Sequence, residues 1–240
     1  MKSSVPEQMR LQAYIAKSGF CSRRKAETFI INGNVSVNGV TEKNPARRVT
    51  GEDSVLCNGI PVEMAERVYI ALNKPKGYLC SNYDPHGTLF ARDLIQIPQQ
   101  QTLFSIGRLD RDSTGLILFT NDGDFANAIA HPSFGIEKEY LVKTREKLDR
   151  TVLNRAISGI RIEGETYRVS RLRMHSSRSL SIVLVEGKNR EIRKIMKALG
   201  YSVTMLHRVR IGTLTIGKLP KGAYRFLTRH ERRSLTGSSS

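Results

Sequence analysis

The sequence predicts an α+β protein in two parts: a small α/β module, then a larger domain built on a mixed, mostly antiparallel sheet. Three observations predict it. Two short helical patterns and a tight hairpin follow one another within residues 10–40. From residue 67 onward, strand-like runs are separated by turns and helices without regular βαβ alternation, which argues against a parallel sheet wrapped by helices. Positive charge is also uneven, because residues 161–240 carry 18 Lys and Arg against 5 Asp and Glu, most of the net charge of +17. The expected divisions are residues 8–66, residues 67–232 and a disordered, low-complexity tail at 233–240.

Leu11, Tyr14 and Ile15 fall at i, i+3 and i+4, the spacing of one short amphipathic helix that Gly19 can end. Ser22 then caps a second helix, whose apolar stripe is Ala26, Phe29 and Ile30 and whose stop is Gly33. Val35 and Val37 alternate with polar residues, and Asn38-Gly39 suits the positive φ angles of a two-residue hairpin turn. Residues 41–66 read as polar connections that finish the module. Arg23, Arg24 and Lys25 occupy the first turn of the second helix, where cations oppose the helix dipole. They are either a tolerated solvated charge run or a phosphate clamp, in which basic side chains and free backbone amides face one anion.

In the second part, VYIAL at 68–72, GLILFT at 115–120, EYLVK at 139–143 and SLSIVLV at 179–185 read as strands. Ile192, Ile195, Met196 and Leu199 form a helical core stripe, with Asn189 as the expected cap and Gly200 as the stop. Arg190, Arg193, Lys194 and Lys197 repeat that spacing on another face. Asp110 lies between a Gly-containing turn and a buried-type strand. This is either an ordinary polar connection or a carboxylate held at the rim of a sheet and open to a cleft.

Composition narrows the function classes. The longest apolar runs, such as LILF at 116–119, are too short to cross a bilayer, and MKSSVPEQMR has no apolar stretch of the signal-peptide kind. Cys21, Cys57 and Cys80 offer neither a disulfide framework nor a CxxC zinc clamp, so a reducing cytoplasm is the expected location. The basic excess favours a polyanion as partner, since bound phosphates release counterions. A membrane is not expected, because no amphipathic helix pairs basic residues with exposed Trp or Phe. His131, His175 and His207 are isolated and read as structural or RNA-contacting rather than as metal ligands.

Two resemblances sharpen this picture. RLQAYIAKSGFCSRRKAETFIINGNVSVNGV, residues 10–40, resembles the S4-type RNA-binding domain, which implies RNA contact through Arg10, Ser22, Arg23, Arg24 and Lys25. GRLDRDSTGLILFTNDGD, residues 107–124, is similar to the signature around the catalytic aspartate of the RsuA/RluB/RluE/RluF branch of pseudouridine synthases. LNKPKG at 72–77, HPSFGIEKEYLV at 131–142, EGKNREIRKIMKALGY at 186–201 and HRVRIGTLTIGKLPKGAYRFLT at 207–228 agree in order. Together the resemblances cover nearly the whole chain.

They imply conversion of one uridine to pseudouridine in ribosomal RNA, presented as a folded stem-loop or assembly intermediate, with the large subunit favoured by the Asn-Arg-Glu-Ile-Arg wording. Asp110 would be the catalytic carboxylate, Arg193 its pairing and orienting partner, and Tyr140 the aromatic beneath the target base. Arg108 would enter the space the flipped nucleotide leaves, while Arg190 and Lys194 would contact RNA. The reaction neither oxidises nor adds anything, so no cofactor or metal is demanded, and the S4-type branch implies a monomer. The competing reading is a catalytically silent RNA-binding factor in ribosome assembly. A glycoside hydrolase using Asp110 with Asp112 gives the basic field no purpose. Ser113 as an esterase nucleophile lacks the surrounding GxSxG elbow.

Overall fold

The computed structural model describes residues 8–81 and 89–237. The chain divides into two units, one from the chain up to Val68 with Pro98–Leu103 and Asn121–Gly123, the other from the remainder. In the first unit, β1 (Met9–Arg10) leads into α1 (Leu11–Lys17) and α2 (Arg23–Ile31). These are followed by β2 (Val35–Val37), β3 (Val40–Thr41), β4 (Arg48–Val49), β5 (Val55–Cys57) and β6 (Ile60–Pro61). The apolar stripes of both helices close over Val35, Val55 and Cys57 in one core, the burial that makes such short helices hold their shape. Ser22 caps α2 by accepting from the Lys25 amide at 3.3 Å.

Asn38 and Gly39 turn the first hairpin with φ of 52° and 81°. The stretch expected to be polar connection holds a second hairpin, β5–β6, turned by Asn58 and Gly59 with φ of 51° and 77°. Its cause is the same: an Asn-Gly pair between two short runs, of which Val55 and Cys57 point into the core. The four strands pair in the order β3-β2-β5-β6.

The second unit is organised by β7 (Tyr69–Lys74), β8 (Phe104–Ile106), β9 (Thr114–Thr120), β10 (Lys138–Thr144) and the hairpin β11 (Ile160–Ile162) to β12 (Glu165–Tyr167). Then come β13 (Arg171–Ser176), β14 (Ser179–Leu184), β15 (Val203–Ile211), β16 (Leu214–Thr215) and β17 (Tyr224–Phe226). The main sheet runs β13-β14-β10-β15-β9-β7-β17, with β8 on β9 and β16 on β15. Among the described strands, only β9 and β15 pair in parallel, so the mixed, mostly antiparallel sheet of the sequence reading is what forms. Four helices accompany it: α3 (Gly123–Ala130), α4 (Arg150–Ser158), α5 (Glu191–Ala198) and α6 (Arg229–Thr236).

Two expectations are corrected here. Residue 189 does not cap α5. Arg190 does, in a left-handed conformation with no side-chain cap bond, while the Glu191 carboxylate accepts from the Lys188 amide at 3.0 Å and closes the turn. The tail is not irregular from residue 233. A reciprocal Thr228–Glu231 capping box starts α6, and Leu235, 1% exposed, packs in the core with Phe125, Ile129 and Leu214. Residues 238–240 of the expected tail lie outside the described residues. No helix among the described residues is long and apolar enough to cross a membrane.

Candidate active site

Asp110 sits in the loop between β8 and β9, and that loop is fastened from below. Lys74, at the end of β7 and 0% exposed, donates through Nζ to the carbonyls of Ser113 at 2.7 Å, Pro75 at 3.1 Å and Arg111 at 3.4 Å. Burial pulls its pKa below the usual lysine value. The Gly77 amide donates to the Arg111 carbonyl at 2.8 Å, and the Ser113 amide to that of Asp110 at 3.0 Å. Gly115 then enters β9 at φ 104°, directly opposite Arg208 across the parallel pair. A Cβ there would strike the Arg208 backbone, so only glycine lets β9 and β15 meet at this height.

The Asp110 carboxylate, 29% exposed, opens onto a cleft of about 370 Å³. That volume lies in the range of small-ligand sites. Two guanidiniums approach the same oxygen, Oδ2: Arg190 Nη1 at 3.6 Å and Arg193 Nε at 3.9 Å. Neither reaches hydrogen-bond range, so both guanidiniums leave the carboxylate's lone pairs free. Arg193 is the more enclosed, at 17% exposure against 52% for Arg190, and its Nη1 also donates to the Val203 carbonyl at 3.5 Å.

Tyr140 on β10 is buried and lines the same cleft, as does the exposed Arg108. Below them Arg208, 4% exposed, donates from Nε to the Leu116 carbonyl at 2.6 Å and from Nη1 to the Tyr140 hydroxyl at 3.4 Å. Lys138 completes this floor, with Nζ on the Val185 carbonyl at 3.3 Å and its pKa lowered by burial, then by the nearby Arg208 charge. Among the described residues, no group of His, Cys, Asp or Glu side chains could hold a metal ion.

A family model described as RNA pseudouridylate synthase matches residues 68–198, and an S4 domain model matches residues 9–55. The chain belongs to the RNA pseudouridine synthase family. Ribosomal large subunit pseudouridine synthase B of Bacillus subtilis (strain 168) is 39% identical over 92% of this chain and 93% of its own length. Dual-specificity RNA pseudouridine synthase RluF of Escherichia coli (strain K12) is 36% identical over 93% of this chain and 77% of its own length. A crystal structure of a pseudouridylate synthase superposes with a TM-score of 0.70 at 30% identity, over 95% of this chain and 99% of that one.

In this synthase the fold gathers Asp110, Arg190, Tyr140 and Arg108 around one cleft, and Arg193 approaches Asp110 from behind its lining. Lys194 is not among them. Its Nζ instead binds the Tyr167 hydroxyl at 3.1 Å and Glu163 at 3.6 Å. Asp112, proposed partner of the hydrolase reading, points to Lys76 at 4.0 Å and lies outside the cleft. Arg10, Ser22, Arg23, Arg24 and Lys25 belong to the S4 unit. There Arg10 pairs across strands with Arg48, Arg23 and Arg24 are exposed, and Lys25 leans over the Phe29 ring at 5.6 Å. His131, His175 and His207 bond to Ser133, Ser181 and Thr114 respectively.

Sequence reasoning placed Arg190 on a basic face rather than beside Asp110, and it passed over Lys74, Lys138 and Arg208. The lysine of LNKPKG and the first arginine of HRVRIG stood inside matched segments. Their partners are 39, 68 and 92 residues away, a distance no local pattern spans.

Proposed function

We propose that this synthase converts one specific uridine of ribosomal RNA, by preference in the large subunit, and that Asp110 is the reacting carboxylate. The observation that carries the reading is the Asp110 carboxylate, open to a cleft with two arginines 3.6 and 3.9 Å from one oxygen and the Tyr140 ring in the same wall. The name of the relative from Bacillus subtilis, a ribosomal large subunit pseudouridine synthase, supports the substrate class.

The chemistry fits those residue types. The bond between ribose C1′ and uracil N1 breaks, the ring turns, C1′ joins C5, and the C5 proton leaves while N1 regains one. Nothing is oxidised and no group is transferred from outside, so an ionised carboxylate acting as nucleophile or base suffices, without cofactor or metal. Arg193, aided by Arg190, orients the Asp110 carboxylate at the cleft. The target base must leave its stack, and Tyr140 offers a surface for it while Arg108 fills the gap left behind. Arg10, Ser22, Arg23, Arg24, Lys25 and Lys194 supply phosphate contacts, and the enzyme works as a monomer in the cytoplasm.

Mapping pseudouridines in rRNA from cells with and without this gene tests the substrate. One large-subunit uridine that stays unmodified only in the deletion strain is the expected result. Identical maps of both subunits would refute the reading.

A further inference from the structure

Arg208 is the most enclosed cation of the cleft, and it has a donor to spare. Tyr140 and Arg208 stand opposite each other in the β10–β15 pairing, so their side chains share a face of the sheet. The Arg208 guanidinium uses Nε on the Leu116 carbonyl and Nη1 on the Tyr140 hydroxyl. Its Nη2 is buried and has no partner, and no carboxylate lies within ion-pair range of Arg208 among the described residues. Structural arginines at 4% exposure are ordinarily saturated by carboxylates or carbonyls. Here the open donor belongs to a side chain that lines the cleft.

The ligand that satisfies it must be an acceptor able to reach the floor. A backbone phosphate would meet the exposed arginines, Arg190 at 52% and Arg108, before Arg208 at 4%. The part of a flipped nucleotide that reaches below Tyr140 is the base. Uracil carries two carbonyl acceptors, O2 and O4, whereas cytosine carries an amino donor at position 4, and a guanidinium can only donate.

We propose that Arg208 reads a carbonyl oxygen of the target uracil through Nη2, making it a specificity-determining residue of the synthase. The assignment rests on the base-flipping function proposed above. Sites that hydrogen-bond a substrate group discriminate strongly against analogues lacking it, because the protein's own buried polar atom is then stranded.

The test uses the full-length enzyme and a large-subunit rRNA fragment bearing uridine, 2-thiouridine or 4-thiouridine at the mapped position. Single-turnover rates are followed by tritium release from carbon 5. Sulfur accepts hydrogen bonds weakly, so wild type is expected to lose about tenfold on one of the two thio substrates. Arg208→Met is slower on uridine, and the penalty for that same sulfur disappears. If Arg208 only props Tyr140, the variant slows on all three RNAs and the sulfur penalty persists undiminished, which overturns the proposal. Wild type that handles both thio substrates at the uridine rate overturns it too, even if Arg208→Met fails to fold. Wild type inert on the uridine RNA instead refutes the proposed function and takes this assignment with it.

Discussion

Replacing Lys74 with Met tests whether the carboxylate works because its loop is clamped. The methionine keeps the length and apolar stem of the buried lysine but removes the ammonium from three carbonyls. A hydrogen bond to a charged group contributes about 1.5–3 kcal/mol, so the two contacts at 2.7 and 3.1 Å together contribute about 3–6 kcal/mol. Releasing a buried ammonium from its desolvation penalty offsets roughly half of that. A net loss of about 2 kcal/mol of stability remains, well within what urea unfolding resolves. The catalytic effect should be larger. Ser113 closes the turn that Asp110 opens and Arg111 lies within it, and a misplacement of about 1 Å can cost roughly a hundredfold in rate. Lys74→Met should therefore lower kcat by about 10- to 100-fold while KM stays within about threefold. A variant with wild-type urea midpoint and wild-type kcat would refute the clamp.

Gly115→Ala forces a side chain against the Arg208 backbone at φ 104°, and should cost at least about 2 kcal/mol in denaturant unfolding, together with most turnover. The Arg225 hydrogen bonds hold the Glu231 carboxyl at about 2, below its ordinary 4.5, so the stability this pair gives α6 is present above about 4.5 and fades as pH falls towards 2. The difference in melting temperature between wild type and Glu231→Gln should shrink through that window; a constant difference would count against the pair. In the S4 unit, Arg23→Ala/Arg24→Ala should flatten the dependence of rRNA affinity on salt by up to about two units of log–log slope, and an unchanged slope removes the phosphate clamp.

The parts of this fold written in local pattern were legible from the chain alone. Leu11, Tyr14 and Ile15 for one helix, Asn38-Gly39 for a hairpin, and the apolar runs at 115–120 and 139–143 all depend on neighbours a few residues apart. The second hairpin was missed because Val55–Cys57 and Ile60–Pro61 are so short that only Asn58-Gly59 announces them. Helix α6 was hidden by the small polar residues of its end, although Thr228 and Glu231 carried the capping signal. The cleft divides the same way. Asp110, Tyr140 and Arg193 stood out because each lies in a segment that resembles known synthases. Arg208 acts through partners on other strands of the sheet, and Lys74 mainly through carbonyls of the loop that precedes β9, so their roles exist only once β7, β9, β10 and β15 are aligned.

The claim that decides the rest is that one carboxylate, at position 110, performs the isomerisation. Ribosomal RNA tritiated at carbon 5 of uridine should lose label at the target site when incubated with the wild-type enzyme. Asp110→Asn, which keeps size and packing but cannot ionise, should slow that release by at least about a hundredfold. Equal release by the two proteins would contradict the account.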